Sequence, residues 1–208
     1  MSRATFLVRV LTSSLLAVAT TPLLATTAAD DAKIEKRAYD LILAVPAISN
    51  AQGAVSAAEL RKAELDEEVQ RFGEMVAAHA ISGERLDEVK RDAAIAGATR
   101  DESRAKLTRA QLDKQRLESE AACDAGSCAA LKQAYVALRQ QDAEIARQAV
   151  VKLDAQITYQ QVLVTGHQAL ADDGAIDQRV VWEDRQELAA LQAERDAAET
   201  AYEQLRGN

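Results

Sequence analysis

Pro46 is the last proline of this 208-residue chain. The residue that stops helices most reliably, by clashing with the preceding turn and removing an N–H donor, is missing from everything beyond it. Along that stretch the apolar residues recur at alternating steps of four and three. One such series is Leu65, Val69, Phe72 and Val76; another is Leu86, Val89, Ala93 and Ala96. The most regular is Val181, Asp184, Leu188, Leu191, Arg195, Ala198, Tyr202 and Leu205. A mean step of 3.5 residues belongs to helices packed along a seam, and no segment alternates with the period of two that marks a strand. Composition agrees. Roughly one residue in five is alanine, 28% are charged and only 3% are aromatic, a mixture of helix formers typical of long helices and coiled coils.

The breaks in this pattern divide the chain. Residues 30–45 form a short amphipathic run with Ile34, Ala38, Leu41 and Val45 on one face; Pro46 is expected to end it, and residues 49–53 read as a linker. Ser56 and Glu59 fit a capping box that opens a second helix ending at His79. Ser82 is placed to cap a third helix, stapled by Ile81 and Leu86, that runs to about Cys123 with a candidate break at Gly97. Its apolar series is interrupted at Arg100, Ser103 and Lys114. A fourth helix spans about 128–171. Its series Leu131, Tyr135, Leu138, Asp142, Ile145, Ala149 shifts phase to Leu153, Ile157, Val164, so its partner face should rotate. Asp177, flanked by Ile176 and Val181, caps the last helix. At 1.5 Å per residue the third and fourth helices are each about 60 Å long, and the second and fifth about 40 Å. The expected fold is all-α: an elongated antiparallel helical bundle over residues 54–208. Four helices should form its base, and a long two-helix coiled-coil hairpin should rise from it to a tip at residues 123–128.

The first residues set the compartment. Arg3 and Arg9 precede an apolar run over residues 10–25, small residues follow, and the first acids are Asp30 and Asp31. Residues 1–29 have the plan of a secretory signal peptide cleaved after Ala28 or Ala29; a retained anchor is the alternative. Nothing after the leader is expected to span a membrane. The formal charge of −8 becomes −10 once Arg3 and Arg9 leave, which argues against nucleic acid or an anionic membrane surface as partner.

In an oxidising compartment the two cysteines, Cys123 and Cys128, read as a disulfide staple across the turn 124–127. Gly126 would take the left-handed position there, and Ser127 would cap the next helix. A redox pair would use Cys128 at a helix N-terminus, but the spacing is not Cys-x-x-Cys. A metal clip would need Asp124 and Glu120 as well. His79 and His167, with Glu84, Asp172 and Asp173, are weak candidates for a divalent metal. No cofactor loop or nucleophile motif is present. Residues 107–111, Leu-Thr-Arg-Ala-Gln, resemble the Leu-Thr-x-x-Gln motif of small periplasmic helical chaperones. There the threonine caps a helix, whereas Thr108 lies inside a continuous run, so five residues assign no family.

Two further features bear on partners. Trp182 is expected to pack at the base. The apolar segment around Tyr39, Leu41, Ile42 and Val45 should either fold back on the bundle or dock on a partner, as amphipathic helices do in grooves. The resulting expectation is a non-enzymatic periplasmic or secreted scaffold, adaptor or accessory subunit of an envelope or secretion assembly. It would need no cofactor, and its partner would be another envelope protein or a second copy. The alternative is a periplasmic chaperone or stress or metal sensor; a hydrolase or redox enzyme comes third.

Overall fold

A computed structural model describes residues 28–124 and 128–207. The expected leader, except for Ala28 and Ala29, and the turn residues Gly126 and Ser127 lie outside the described residues. Four helices make up the fold: α1 (Ala28–Ala77), α2 (Gly83–Asp124), α3 (Ala129–Asp172) and α4 (Gln178–Gly207). No strand occurs among the described residues. Lengths of 50, 42, 44 and 30 residues correspond to about 75, 63, 66 and 45 Å.

Two long helices joined at Cys123 and Cys128 form the expected hairpin, α2 with α3, and the two cysteines are disulfide-bonded. The base differs from the expected four-helix bundle. Among the described residues α1 touches only α2, α2 touches α1 and α3, and α3 touches α2 and α4. The helices form a serial antiparallel row, so the outer sides of α1 and α4 stay uncovered. The hairpin is not bare either, because α1 runs beside α2 almost to the tip, where Arg37 lies 4.0 Å from Glu120.

The reason lies in α1. Pro46 neither ends it nor separates it from the next segment, and residues 49–53 are helical rather than a linker. The Ser56 hydroxyl donates back to the Gln52 carbonyl at 3.3 Å and opens no new helix. Pro46 is tolerated because it lies on the exposed side. The Ile42 carbonyl that loses its N–H partner faces water there, while the seam residues continue unbroken against α2. That seam runs Arg37, Leu41, Ala44, Ile48, Ala51, Val55, Ala58, Lys62, Leu65, all buried or half-buried.

Alanine dominates the core. Ala93, Ala96, Ala98, Ala105, Ala134 and Ala171 are buried beside Leu65, Val89, Leu117, Leu138 and Val181. Leu65 packs on Ala93 and Ala96, with Val69 against them. Small seam residues let helix axes come close while burying little apolar area, so each interface is narrow. Helix α2 does not break at Gly97. A Cβ there would sit 3.2 Å from the Lys62 side chain, so the glycine makes room for α1. Thr99 bonds back to the Ile95 carbonyl at 2.9 Å, and Thr108 to that of Arg104 at 3.0 Å, both mid-helix.

The two turns at the other end share one hydrogen-bond pattern. In the first, the His79 N–H donates to Val76 and the Ala80 N–H to Met75. In the second, Gly174 donates to Ala171 and Ala175 to Leu170. Each is a Schellman motif whose penultimate residue must be left-handed: Gly174 has φ 73° and His79 has φ 57°. Asp177 caps α4 as expected, its carboxylate accepting the Arg179 N–H at 2.8 Å beside the fully buried Val181. Trp182, expected to pack at the base, is 58% exposed, because no helix lies beyond α4 to cover it.

Candidate functional site

With α2 covering one side of α1, the opposite side takes its residues from the intervening positions. Tyr39, Ile42 and Val45 are each more than half exposed, as is Leu60, and Leu43 is nearly so. Leu41, grouped with them by its apolar character, is half-buried toward α2 instead. The sequence placed Ile34, Ala38, Leu41 and Val45 on one face. The structure turns the helix so that Leu41 and Ala44 face inward and Ile34 and Val45 face out.

Residues 41–58 carry no charge at all. This part of α1 reaches a mean hydropathy of 1.4, is half-buried along its α2 side and exposed elsewhere, and by length and composition alone could cross a bilayer. That corrects the expectation that nothing after the leader is apolar enough to do so. What lies against it is highly charged. Arg37 meets Glu120, and Glu59 accepts from Arg104 at 2.6 Å, so the part of α2 between them runs alongside. It contains Lys106, Arg109, Asp113, Lys114 and Arg116.

The other candidate sites resolve as follows. At the tip, Glu120 is engaged by Arg116 and accepts the Tyr135 hydroxyl at 3.3 Å. With both cysteines in a disulfide and Glu120 paired, the tip is a staple tying α1, α2 and α3 together. His79 is exposed in its turn. His167 Nδ1 lies 2.6 Å from Asp184, which also accepts from Gln160 at 3.4 Å. His79 and His167 thus have separate settings, and no group of three or more His, Cys, Asp or Glu among the described residues could hold a metal.

Of the polar interruptions in α2, Arg100 pairs with Asp101, Ser103 donates to the Thr99 carbonyl and Lys114 pairs with Glu118, all within the helix; other polar side chains along the helix contacts form inter-helix pairs. Arg109 pairs with Asp142, Lys152 with Glu102, and Arg195 with Asp154 at 3.2 Å. Burial pushes the Glu102 carboxyl up, but hydrogen bonds from Lys106 and Lys152 and their charges outweigh this and hold it below the usual carboxylate range. The hydrogen bond to Asp142 raises the Arg109 guanidinium further. Arg91 lies 4.3 Å over the Tyr159 ring, in a groove among α2, α3 and α4 that Ile95, Gln156, Glu187 and Leu191 also line. Burial pushes the Tyr159 hydroxyl up. Asp92 and Glu187 are the carboxylates among the side chains lining that groove.

Sequence reasoning missed Gln160, which is 4% exposed, and the role of Asp184. A carboxylate at a seam position facing a histidine and a glutamine two turns apart is the signal that would have found them. No protein family, curated protein or solved structure matches the chain.

Proposed function

We propose that this chain is a non-enzymatic helical scaffold or accessory subunit of an envelope assembly, working in a periplasm-like compartment. The observation that carries this reading is the outer side of α1, where large apolar side chains stand exposed along a helix that, among the described residues, only α2 supports. Contiguous exposed apolar surface on a soluble chain marks an interaction site. The disulfide and the apolar N-terminal helix fit an extracytoplasmic location. Spanning a bilayer with residues 41–58 would either strip α2 from α1 or draw its charges into hydrocarbon. The latter costs about 2.5–3.5 kcal/mol for each charge near the centre. Docking on protein keeps both helices together.

Crosslinking in the native envelope tests the reading. A specific neighbour, or a second copy, should be recovered with the protein. Replacing Tyr39 and Ile42 by Asp should abolish that product and leave the helix content unchanged. Recovery of the uncrosslinked monomer alone refutes the scaffold. Suppression of client aggregation with no stable neighbour would favour the chaperone alternative instead.

A further inference from the structure

The outer side of α1 has a charge pattern as well as an apolar one. Along the heptad that places Leu41, Ile48 and Val55 against α2, the positions pointing directly away are uncharged from Tyr39 to Ala63. At the heptad position of Asn50 this strip is bounded by Lys36 at one end and Glu64 at the other, both exposed, with the exposed Glu35 beside Lys36. Asp40 and Arg61 flank it inside those two, again at matching positions. At each of these two matched positions the charge has opposite sign at the two ends, about a midpoint at Asn50, while each end as a whole carries both signs.

From this pattern we infer that the occupant of the outer side of α1 is a second copy of this chain, packed antiparallel about a two-fold axis at Asn50. The inference deepens the scaffold reading and rests on it. In that arrangement Lys36 of each copy meets Glu64 of the other, and Asp40 meets Arg61. A parallel pairing would set Lys36 against Lys36 and Glu64 against Glu64, which is disfavoured. Within one copy Arg61 and Glu64 are only 3.5 Å partners with both side chains more than half exposed, so re-pairing them costs little. Ile42 and Leu60 would meet across the axis. At the centre Ser49, Gly53 and Ala57 lie on the outer side, and a Cβ at Gly53 would meet nothing, so the two backbones have room to approach. The 28-residue rise from Lys36 to Glu64 makes a contact about 42 Å long and one helix wide. Such a strip falls at the small end of specific interfaces, so the dimer should dissociate on dilution through the micromolar range.

The surface of a membrane is the competing occupant. An acidic chain of net charge −8 is repelled by anionic lipid, and the alternating ends of the strip match a copy of themselves better than a uniform headgroup plane.

Sedimentation velocity on the protein as its own cell processes it should show a concentration-dependent monomer–dimer equilibrium. Lys36→Glu should weaken the dimer at least tenfold, and adding Glu64→Lys should restore it; a dimer with any other register or a parallel one would not be rescued. Asn50→Cys should crosslink the two copies under oxidation, while Lys36→Cys should not. A monomer at every concentration overturns the inference. So does a charge pair that fails to rescue, or binding to anionic or zwitterionic vesicles by a protein monomeric in solution. If that monomer still crosslinks through Tyr39 and Ile42 to a different envelope protein, only the self-association falls. If it crosslinks to nothing, the scaffold reading falls too.

Discussion

The two turns at the base are an internal control for one physical idea. They share the same hydrogen bonds, yet one places Gly174 at φ 73° and the other His79 at φ 57°. A residue with a Cβ costs about 1–2 kcal/mol in the left-handed region. Replacing His79 by Gly removes that cost but gives the unfolded chain more freedom, which returns about 0.5–1 kcal/mol. The net expectation for His79→Gly is a gain of about 0.5–1 kcal/mol, or about 1–4 °C in Tm for a chain of this size. Gly174→Ala should lose about as much or slightly more. A Cβ there would meet nothing, so backbone strain is the whole effect. Guanidinium and thermal unfolding followed by far-UV circular dichroism would measure both. The reasoning fails if His79→Gly destabilises by 1 kcal/mol or more. That result would mean that the imidazole makes a stabilising contact of its own.

Three other outcomes follow from single features. Replacing Cys123 and Cys128 by Ser frees a loop of about six residues, for which loop entropy gives about 2 kcal/mol, or about 4–8 °C in Tm; an unchanged Tm would show that the tip is held by the Glu120 contacts alone. Pro46→Ala should stabilise α1 by about 2–3 kcal/mol, read as slower amide exchange over residues 42–50, and faster exchange would contradict the reading that the proline is a cost tolerated on the exposed side. The Glu102 carboxyl is lowered in the folded state. Its contribution is therefore present above the unfolded value near pH 4.3 and is lost as pH falls below it. Glu102→Gln should remove that part of the acid sensitivity, and an unchanged pH profile of unfolding would contradict the pairing with Lys106 and Lys152.

The parts of the fold that were legible in the sequence depend on one residue and its nearest turn. The Asp177 cap, the break before Gly83, the disulfide turn and the hairpin follow from local chemistry that neighbours do not override. What misled was the assumption that each helix has one seam. In α2 the series Leu86, Val89, Ala93, Ala96 continues through Arg100 and Ser103. Its packing on Leu65, and the Glu59–Arg104 bond beside it, show that this series faces α1. The hairpin side is a second series, with Ala98, Ala105, Arg109 and Arg116, whose polar members hide it from any hydrophobic count. The phase shift in α3 has the same origin. Tyr135 and Asp142 meet α2, whereas Asp154, Gln160 and His167 meet α4.

A serial row imposes a simple rule. Each inner helix needs two seams, and each edge helix needs one. Helix α4 obeys it: its outward residues include Glu183, Glu194 and Asp196, with Trp182 the main exception. Helix α1 does not. It is an edge helix with the two-sided apolar pattern of an inner one, Leu41 and Ile48 on one side and Ile42 and Leu60 on the other. The misreading of residues 30–53 as a separate short helix and linker came from this excess, because apolar residues on both sides blur the 3.5-residue step that marks a seam. An exposed strip of that kind lowers solubility unless something covers it. Matched positions of opposite charge at the two ends of that strip are what a second copy packed antiparallel on it, rather than a fifth helix of the same chain, would require.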